Sequence, residues 1–523
     1  MTWPAPRWYS GNLMTMFESL LLLLLAAIVL LQVARRVGLP YPAMLALAGV
    51  AFAFVPGAPT LRIEPETVLA LFIAPVLLDA AYDFPLGAAS RLWRPLAIMV
   101  LGAVLVTTAV VATIGWAFAG LPIAAAIVLG AIVAPPDAAA ATAVAGTVTL
   151  PRRTVAVLKG ESLLNDATAL LLFSGALAIQ TADGSAGQVA LRLVLAVPGG
   201  LLLGVASGWV VKRVSRYVAG TLGGNLFQFV AAFGIWLIAE HLELSAVLAV
   251  VASAVVIARG QDGVESPRMR VHSFAVWATV VFLLNVLAFM LMGMQARAIL
   301  GRLDGRAWDD LELVGLVIAG VVASRFAVVM AWNYASRHWR RVRGSLDAPT
   351  IGQGVVVSWA GMRGLLSLAT AFALPANFPQ RDLVVLTAFG VVLATLVFQG
   401  MTLAPLVRLF KLDRMEDPQA ELAEARRRLT DAALSKLDDL PDGDGLRATY
   451  QAKRAAHDDP ERAAWLDRQR QAGLAVVAAQ REALDDLRED GQIGSETFFQ
   501  LQEELDWRAL TLLPDEERRI EEA

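Results

Sequence analysis

Long apolar stretches follow one another from about residue 15 to residue 410, with short polar connections between them. A transmembrane helix needs about 20 predominantly apolar residues, and most of these stretches approach that length. The pattern predicts thirteen helices, at about 15–35, 40–57, 66–83, 96–119, 122–146, 153–180, 189–212, 223–241, 243–258, 272–297, 311–335, 350–376 and 382–410. This arrangement indicates an all-α polytopic membrane protein.

The pattern changes after residue 412, where polar residues and good helix formers predominate. We expect helices over 419–439 and 446–490, and a last one from Ser495 to Leu512. Residues 1–412 carry a net charge of +9 and residues 413–523 a net charge of −12. The sequence therefore predicts a transmembrane domain, 1–412, followed by an acidic helical tail, 413–523.

The composition agrees with this division, since 57% of the residues are hydrophobic and only 17% are charged. The chain has no cysteine, which rules out disulfides, thiolate metal sites and thiol catalysis. Alternate connections between the predicted helices hold twenty Lys and Arg residues, and the other connections hold seven. Because cytoplasmic loops retain positive charge, we expect the N-terminus outside and the tail in the cytoplasm.

Two of the apolar stretches cannot form continuous helices. In the fifth, Pro135 and Pro136 precede Asp137; neither proline has an N–H group, so carbonyls are freed to face protein, water or a cation. The twelfth is interrupted by glycines around Arg363. These stretches lie seven helices apart, as expected if helices 1–6 and 8–13 were inverted repeats, and such a pair points to a transporter's binding site. Asp137 could also act only as the N-cap of a following half-helix.

The sixth stretch holds two carboxylates, a hydroxyl and an amide within residues 160–166. Ionisable groups at membrane depth cost roughly 2.5 to 3.5 kcal/mol each and are functional candidates by default. Helical spacing places Ser162 and Asp166 on one face and Glu161 and Asn165 on the adjoining face. One face can then hold an ion while its neighbour pairs with a base.

Arg325 is a lone base in an apolar stretch and must meet a carboxylate, because an unpaired charge there is costly. Glu161 is the first candidate partner, and Asp79 and Asp137 are the competitors. Asp79 follows a proline in the third predicted helix, where it could also lie at the interface and be hydrated.

Three motifs together resemble the monovalent cation:proton antiporters, in the branch that includes bacterial NhaP-type proteins and animal sodium/proton exchangers. They are Gly160-Glu161-Ser162-Leu163-Leu164-Asn165-Asp166, Pro136-Asp137-Ala138 and Trp359-Ala360-Gly361-Met362-Arg363-Gly364. The resemblance covers roughly residues 15 to 410 and implies a location in a bacterial inner membrane. It implies a homodimer in which a core domain, with crossed unwound helices, moves against a dimerisation domain in an elevator-like cycle.

The resemblance also implies roles for individual residues. Asp166 would be the carboxylate that carries the cation or the proton. The cation- and proton-binding residues would be Asp166, Asp137, Ser162, Asn165, Asp79 and the carbonyl of Pro136, with Na⁺ held at Asp166, Asp137 and Ser162. Glu161 and Arg325 would form a structural ion pair, and Arg363 would compensate the broken twelfth helix. The Asn165-Asp166 pair resembles the electroneutral branch.

One departure concerns Pro136, since many members of the family have a hydroxyl residue at that position. The expected function is exchange of Na⁺ or Li⁺ for H⁺, with no cofactor beyond the transported ions, and K⁺/H⁺ exchange is the nearest alternative. A cation channel is a second alternative, although a carbonyl filter such as Thr-Val-Gly-Tyr-Gly is lacking in the sequence. An intramembrane enzyme is disfavoured, because Gly160-Glu161-Ser162-Leu163-Leu164 lacks the final glycine of a nucleophile elbow.

Overall fold

The computed structural model describes residues 10–37, 40–55, 69–82, 94, 96–137, 150–181, 186–218, 221–259, 267–301, 307–339, 348–414, 418–439, 444–456, 459–490, 492 and 495–513. Over these residues the chain is α-helical, with no β-strand. Contacts divide it into two compact units, Met1–Glu416 and Asp417–Glu522.

The first half of the larger unit contains nine helices within its described residues. They are α1 (Ser10–Val37), α2 (Tyr41–Ala53), α3 (Ala74–Tyr82), α4 (Val104–Ala119), α5 (Ile123–Val133), α6 (Arg152–Gln180), α7 (Ala186–Val218), α8 (Leu222–His241) and α9 (Ala246–Ala258). Turns of π-helix, Leu69–Ile73 and Ile98–Ala103, lead directly into α3 and α4.

The second half begins with a long helix that lies close to α2. Its described helices are α10 (Pro267–Met294), α11 (Ala296–Leu300), α12 (Ala307–His338), α13 (Ile351–Trp359), α14 (Leu365–Phe372), α15 (Arg381–Ala394) and α16 (Gly400–Leu409). A π-helical turn, Thr395–Gln399, joins α15 to α16. Where α2 and α10 meet, a Cβ atom on Gly293 would overlap the carbonyl of Ala46, so glycine is required for this approach.

Seven helical segments of the described chain are long and apolar enough to cross a membrane. They are Ile98–Ala119, Thr154–Gln180, Gly187–Val218, Gly223–His241, Val271–Leu300, Trp308–His338 and Arg381–Leu409. Four shorter apolar helices are Tyr41–Ala53, Ala70–Tyr82, Ile123–Val133 and Ala246–Ala258. The number of thirteen transmembrane helices and the inverted repeats stay predictions. The half-helix expected after Asp137 lies outside the described residues.

Local sequence signals set the ends of the helices around the two breaks. The helix α4 ends at Gly120, whose φ of 62° is a left-handed conformation that favours glycine, and α5 starts directly after Pro122. At the start of α13, the Thr350 hydroxyl accepts from the Gln353 N–H (3.1 Å) and the Gln353 side chain accepts from the Thr350 N–H (2.9 Å). This capping box satisfies two backbone donors at the helix start.

The apolar residues of the larger unit form two main clusters. The first surrounds α5, which packs against α4, α6, α14 and α15 and is almost wholly buried. The second lies where α3, α6 and α14 meet α7, α8 and α9. We call this second cluster the seam. Many of its side chains are small, including Ala74, Ala167, Ala239, Ala249 and Ala369.

The smaller unit is helical: α17 (Pro418–Asp438), α18 (Asp444–Ala455), α19 (Pro460–Glu489) and α20 (Ser495–Leu512). The region expected to be helical over 446–490 consists of two helices, because α18 ends at Ala455 and a new helix starts at Pro460. Proline is tolerated in the first turn of a helix but breaks a helix interior. The Asp459 carboxylate accepts from the Glu461 N–H (2.9 Å) and so caps the new helix.

Candidate functional site

The first break lies at the end of α5, where Pro135 and Pro136 are both buried. In a continuous helix the Asp137 N–H would donate to the Val133 carbonyl. It donates instead to the carbonyl of Met362, at 2.7 Å. The chain that follows α5 is therefore bonded to the second broken helix.

The second break, between α13 and α14, brings Arg363 into contact with the end of α5. The guanidinium donates to the carbonyls of Val133 (2.9 Å), Ala134 (3.2 Å) and Gly361. Arg363 is only 1% exposed, and its backbone N–H donates to the Thr395 hydroxyl at 3.0 Å. Because the C-terminal end of a helix carries partial negative charge, a cation bonded to the carbonyls of both breaks compensates both half-helices.

Glu161 and Arg325 form a buried ion pair, with exposed fractions of 1% and 2%. The guanidinium donates two hydrogen bonds to the Glu161 carboxylate, at 2.6 and 3.0 Å. It also donates to the carbonyls of Val357 (3.1 Å) and Ser358 (3.2 Å) near the end of α13. A Cβ atom on Gly361 would overlap the Arg325 side chain. The pair therefore joins α6, α12 and the end of α13.

A cavity of about 70 Å³ lies beside the two breaks and is lined by Asp137, Asp166, Ser162 and Pro136. That volume accommodates a small ion with several waters, since one water needs about 10–15 Å³ measured in the same way. The Ser162 hydroxyl lies 3.5 Å from the Pro136 carbonyl. Asp137 and Asp166 both line this small cavity, and two like charges in one cavity repel each other. The cavity therefore presents anionic and neutral oxygen atoms, the ligand type that hard cations prefer.

Two of the predicted binding residues are placed elsewhere by the structure. Asn165 donates to the Glu161 carboxylate at 3.2 Å and so contacts the ion pair. Asp79 lines a neighbouring cavity of about 80 Å³, together with Ser215, Gln228 and Trp277. Neither residue is among the described residues that line the cavity of Asp166.

The cavity of Asp166 also contains polar residues that the sequence patterns did not single out. Ser367, in the first turn of α14, and Asn285, on α10, both line it. Asn285 stands alone in an apolar stretch, which is a signal of the same kind as the one used for Arg325. Ser367 follows the glycine break by three residues, but hydroxyl residues are common in apolar helices and this signal is weak.

The family model described as "Sodium/hydrogen exchanger, transmembrane" matches residues 21–409. The chain belongs to the sodium/hydrogen exchanger family. The resemblance found in the motifs is thereby confirmed, and the exchanger is a multi-pass membrane protein that transports cations and protons and is not an enzyme.

Relatives of the exchanger support this assignment over most of the chain. An uncharacterised Na⁺/H⁺ exchanger of Mycobacterium tuberculosis is 32% identical over 506 residues, which cover 90% of this chain and 92% of the relative. A protein of Bacillus pumilus, named a sodium, potassium, lithium and rubidium/H⁺ antiporter, is 27% identical over 491 residues, covering 89% of this chain and 73% of the relative.

The fold has a counterpart among solved structures. The sodium proton antiporter MjNhaP1 from Methanocaldococcus jannaschii matches with a TM-score of 0.59 at 16% identity, covering 76% of this chain and 98% of that protein. At this identity the likeness concerns the fold alone. The helices of this chain are therefore arranged similarly to those of that solved structure.

Proposed function

We propose that this exchanger moves Na⁺ or Li⁺ in one direction and H⁺ in the other, with Asp166 as the group that binds either ion. One observation carries the proposal: Asp166 and Asp137 line a single cavity beside two broken helices, together with Ser162 and Pro136. Polar backbone at membrane depth is tolerated where it lines such a cavity.

Competition for Asp166 explains how the two fluxes are coupled. A carboxylate that has lost its hydration is stabilised either by a proton or by a nearby cation. Asp137 lines the same cavity, and a second carboxylate nearby further favours binding of a proton or a cation at Asp166. Exchange follows when the loaded site crosses the membrane readily and the empty, charged site does not.

We propose an electroneutral cycle, in which one monovalent cation is exchanged for one proton. The Glu161 charge is already matched by Arg325 at 2.6 Å, so this pair need not titrate during transport. Asp137 would then keep its charge state while Asp166 alternates between its two ligands. Setting the membrane potential with a potassium ionophore should leave the exchange rate unchanged, whereas a rate that follows the potential would contradict electroneutrality.

Alternating access is supported by the position of the site against the seam. The helices α3, α6 and α14 contribute Leu77, Leu163 and Leu366 to the seam, and α7 to α9 contribute the opposite side. Small side chains let the backbones of two helices approach closely, so the two sides of the seam meet along a close contact. We propose that the broken-helix part moves against α7–α9 within each copy of a homodimer. Light scattering in detergent would measure the number of copies.

A K⁺/H⁺ exchanger is the second candidate, for two reasons. The hydroxyl common in the family is replaced by Pro136, so a ligand that discriminates between cations is missing at that position. The Bacillus pumilus relative is named for potassium as well as sodium. The same cavity could therefore hold a larger monovalent cation.

Proton flux in proteoliposomes containing a pH-sensitive dye tests the proposal. Na⁺, Li⁺ and K⁺ are added outside in turn to vesicles with the native protein, with Asp166→Asn and with the control Asp309→Asn. Asp309 is an exposed carboxylate in the first turn of α12. We expect Na⁺ and Li⁺ to make the interior alkaline for the native protein and the control, and no response for Asp166→Asn.

The ion order separates the two candidates, because a response led by K⁺ would favour potassium exchange. Persistent exchange by Asp166→Asn would contradict the central role of this carboxylate. A native protein that responds to none of the three ions would contradict monovalent cation exchange.

A further inference from the structure

The hydroxyl of Ser367 has an unusual environment. The residue is 1% exposed and lines the cavity of Asp166. Among the residues that the structure describes, its Oγ atom has no hydrogen-bond partner. A buried polar atom without a partner is costly, so this oxygen calls for an explanation.

Its position after the break explains why the hydroxyl is free. Hydroxyl side chains inside a helix usually donate to the carbonyl four residues earlier, as Thr370 does to Leu366 at 2.8 Å and Ser358 does to Gly354 at 2.8 Å. For Ser367 the residue four positions earlier is Arg363, which precedes the first helical residue of α14. The carbonyl three positions earlier belongs to Gly364, which also precedes α14. Neither carbonyl accepts a hydrogen bond from Ser367, so the oxygen is available to the cavity.

We propose that the Ser367 hydroxyl is a direct ligand of the transported cation. The inference rests on the proposed function and adds a ligand to its site. A dehydrated monovalent cation requires several oxygen ligands, and Pro136 can supply only its carbonyl. Ser367 provides a second neutral hydroxyl beside Ser162, from α14 instead of α6. The cation would then be held by both broken-helix regions and would satisfy the unpaired oxygen.

The dependence of the exchange rate on Na⁺ and Li⁺ concentration tests this role. The variants are Ser367→Ala, which removes the oxygen, and Ser367→Cys, which keeps the volume but replaces a hard ligand with a soft one. Thr370→Ala is the matched control, because it removes a hydroxyl one turn further along α14 that is already bonded to Leu366. We expect KM for both cations to rise about tenfold in the two Ser367 variants, the size typical for one lost interaction with a charged group.

A ligand role and a structural role predict different results. Loss of a ligand raises KM while the maximal rate stays within about twofold of the native value, and Thr370→Ala leaves both unchanged. Unchanged KM in Ser367→Ala, or an equal change in Thr370→Ala, would overturn the inference. If Ser367→Ala fails to fold, Ser367→Cys alone decides between the two outcomes.

A binding measurement without transport keeps this inference separate from the proposed function. In detergent, the Na⁺ concentration needed to raise the melting temperature by a given amount should increase about tenfold in the Ser367 variants, and an unchanged concentration would refute the ligand. Asp166→Asn is measured in parallel. Exchange by Asp166→Asn would refute the proposed function. If Asp166→Asn loses exchange but the Ser367 variants keep the native KM and Na⁺ dependence, only this inference is refuted.

Discussion

The buried ion pair between Glu161 and Arg325 makes a quantitative prediction, tested by replacing each residue with methionine, singly and together. Removing one partner of a buried pair costs about 3–5 kcal/mol, because the other charge is left unpaired. Arg325→Met also removes the donor to the carbonyls of Val357 and Ser358, and Glu161→Met removes the acceptor of Asn165. Each orphaned polar group costs about 1 kcal/mol or more.

These contributions give an expected order of stability. Glu161→Met should lose about 5 kcal/mol and Arg325→Met about 6 kcal/mol, each from one unpaired charge and its orphaned groups. The double variant holds no unpaired charge and keeps only three orphaned groups, so it should lose about 3 kcal/mol. It is therefore expected to be more stable than either single variant by about 2 kcal/mol or more.

Unfolding in detergent micelles titrated with a denaturing detergent measures these differences. The control is the pair of Arg192 and Glu243, 3.3 Å apart, whose side chains are 62% and 63% exposed. Its single and double methionine variants should stay within about 1 kcal/mol of the native protein. If the Glu161 and Arg325 variants were equally stable, singly and together, the reasoning about the buried pair would be refuted.

Two further predictions concern the site and the orientation. A Cβ atom at Gly364 would overlap the Asp137 carboxylate, so Gly364→Ala should abolish exchange in the vesicle assay. The control is Gly315→Ala in α12, which has nothing within 4 Å of the added atom and should retain exchange. Normal exchange by Gly364→Ala would show that Asp137 can move away without loss. A reporter fused after Ala523 should be active on the cytoplasmic side, as the distribution of Lys and Arg predicts; activity outside would contradict the odd number of spans.

Sequence reasoning was most effective where one residue type has few acceptable environments. Arg325 in an apolar stretch required a carboxylate, and the structure places Glu161 at 2.6 Å although the two residues are 164 positions apart. The prolines before Asp137 required an interrupted helix, and α5 ends at Val133. In the tail, helix formers indicated helix over 446–490, and Pro460, which marks the start of a second helix within that range, was not used.

The family resemblance was less informative than helical spacing about which polar residues surround the ion. The resemblance grouped Asp79 and Asn165 with Asp166, whereas Asp79 lines another cavity and Asn165 donates to Glu161. Helical spacing had placed Asn165 on the face of Glu161, but spacing along one helix does not tell which neighbouring helix a face meets. Ser367 was not singled out although it follows the glycine break by three residues, because which carbonyl a hydroxyl can reach depends on where the helix starts in the structure.

The sequence by itself determined the membrane class and the two helix breaks, because these depend on the cost of placing a given residue type in hydrocarbon or in a helix. It also determined the acidity of the tail, from its net charge, and the family, from three motifs. Only the tertiary structure decided how the breaks meet. The Asp137 N–H bonds to Met362, and Arg363 bonds to the carbonyls of α5. These choices depend on which unpaired groups are brought within about 3 Å of each other, a distance that hydrogen bonds require and that no pattern along the chain encodes.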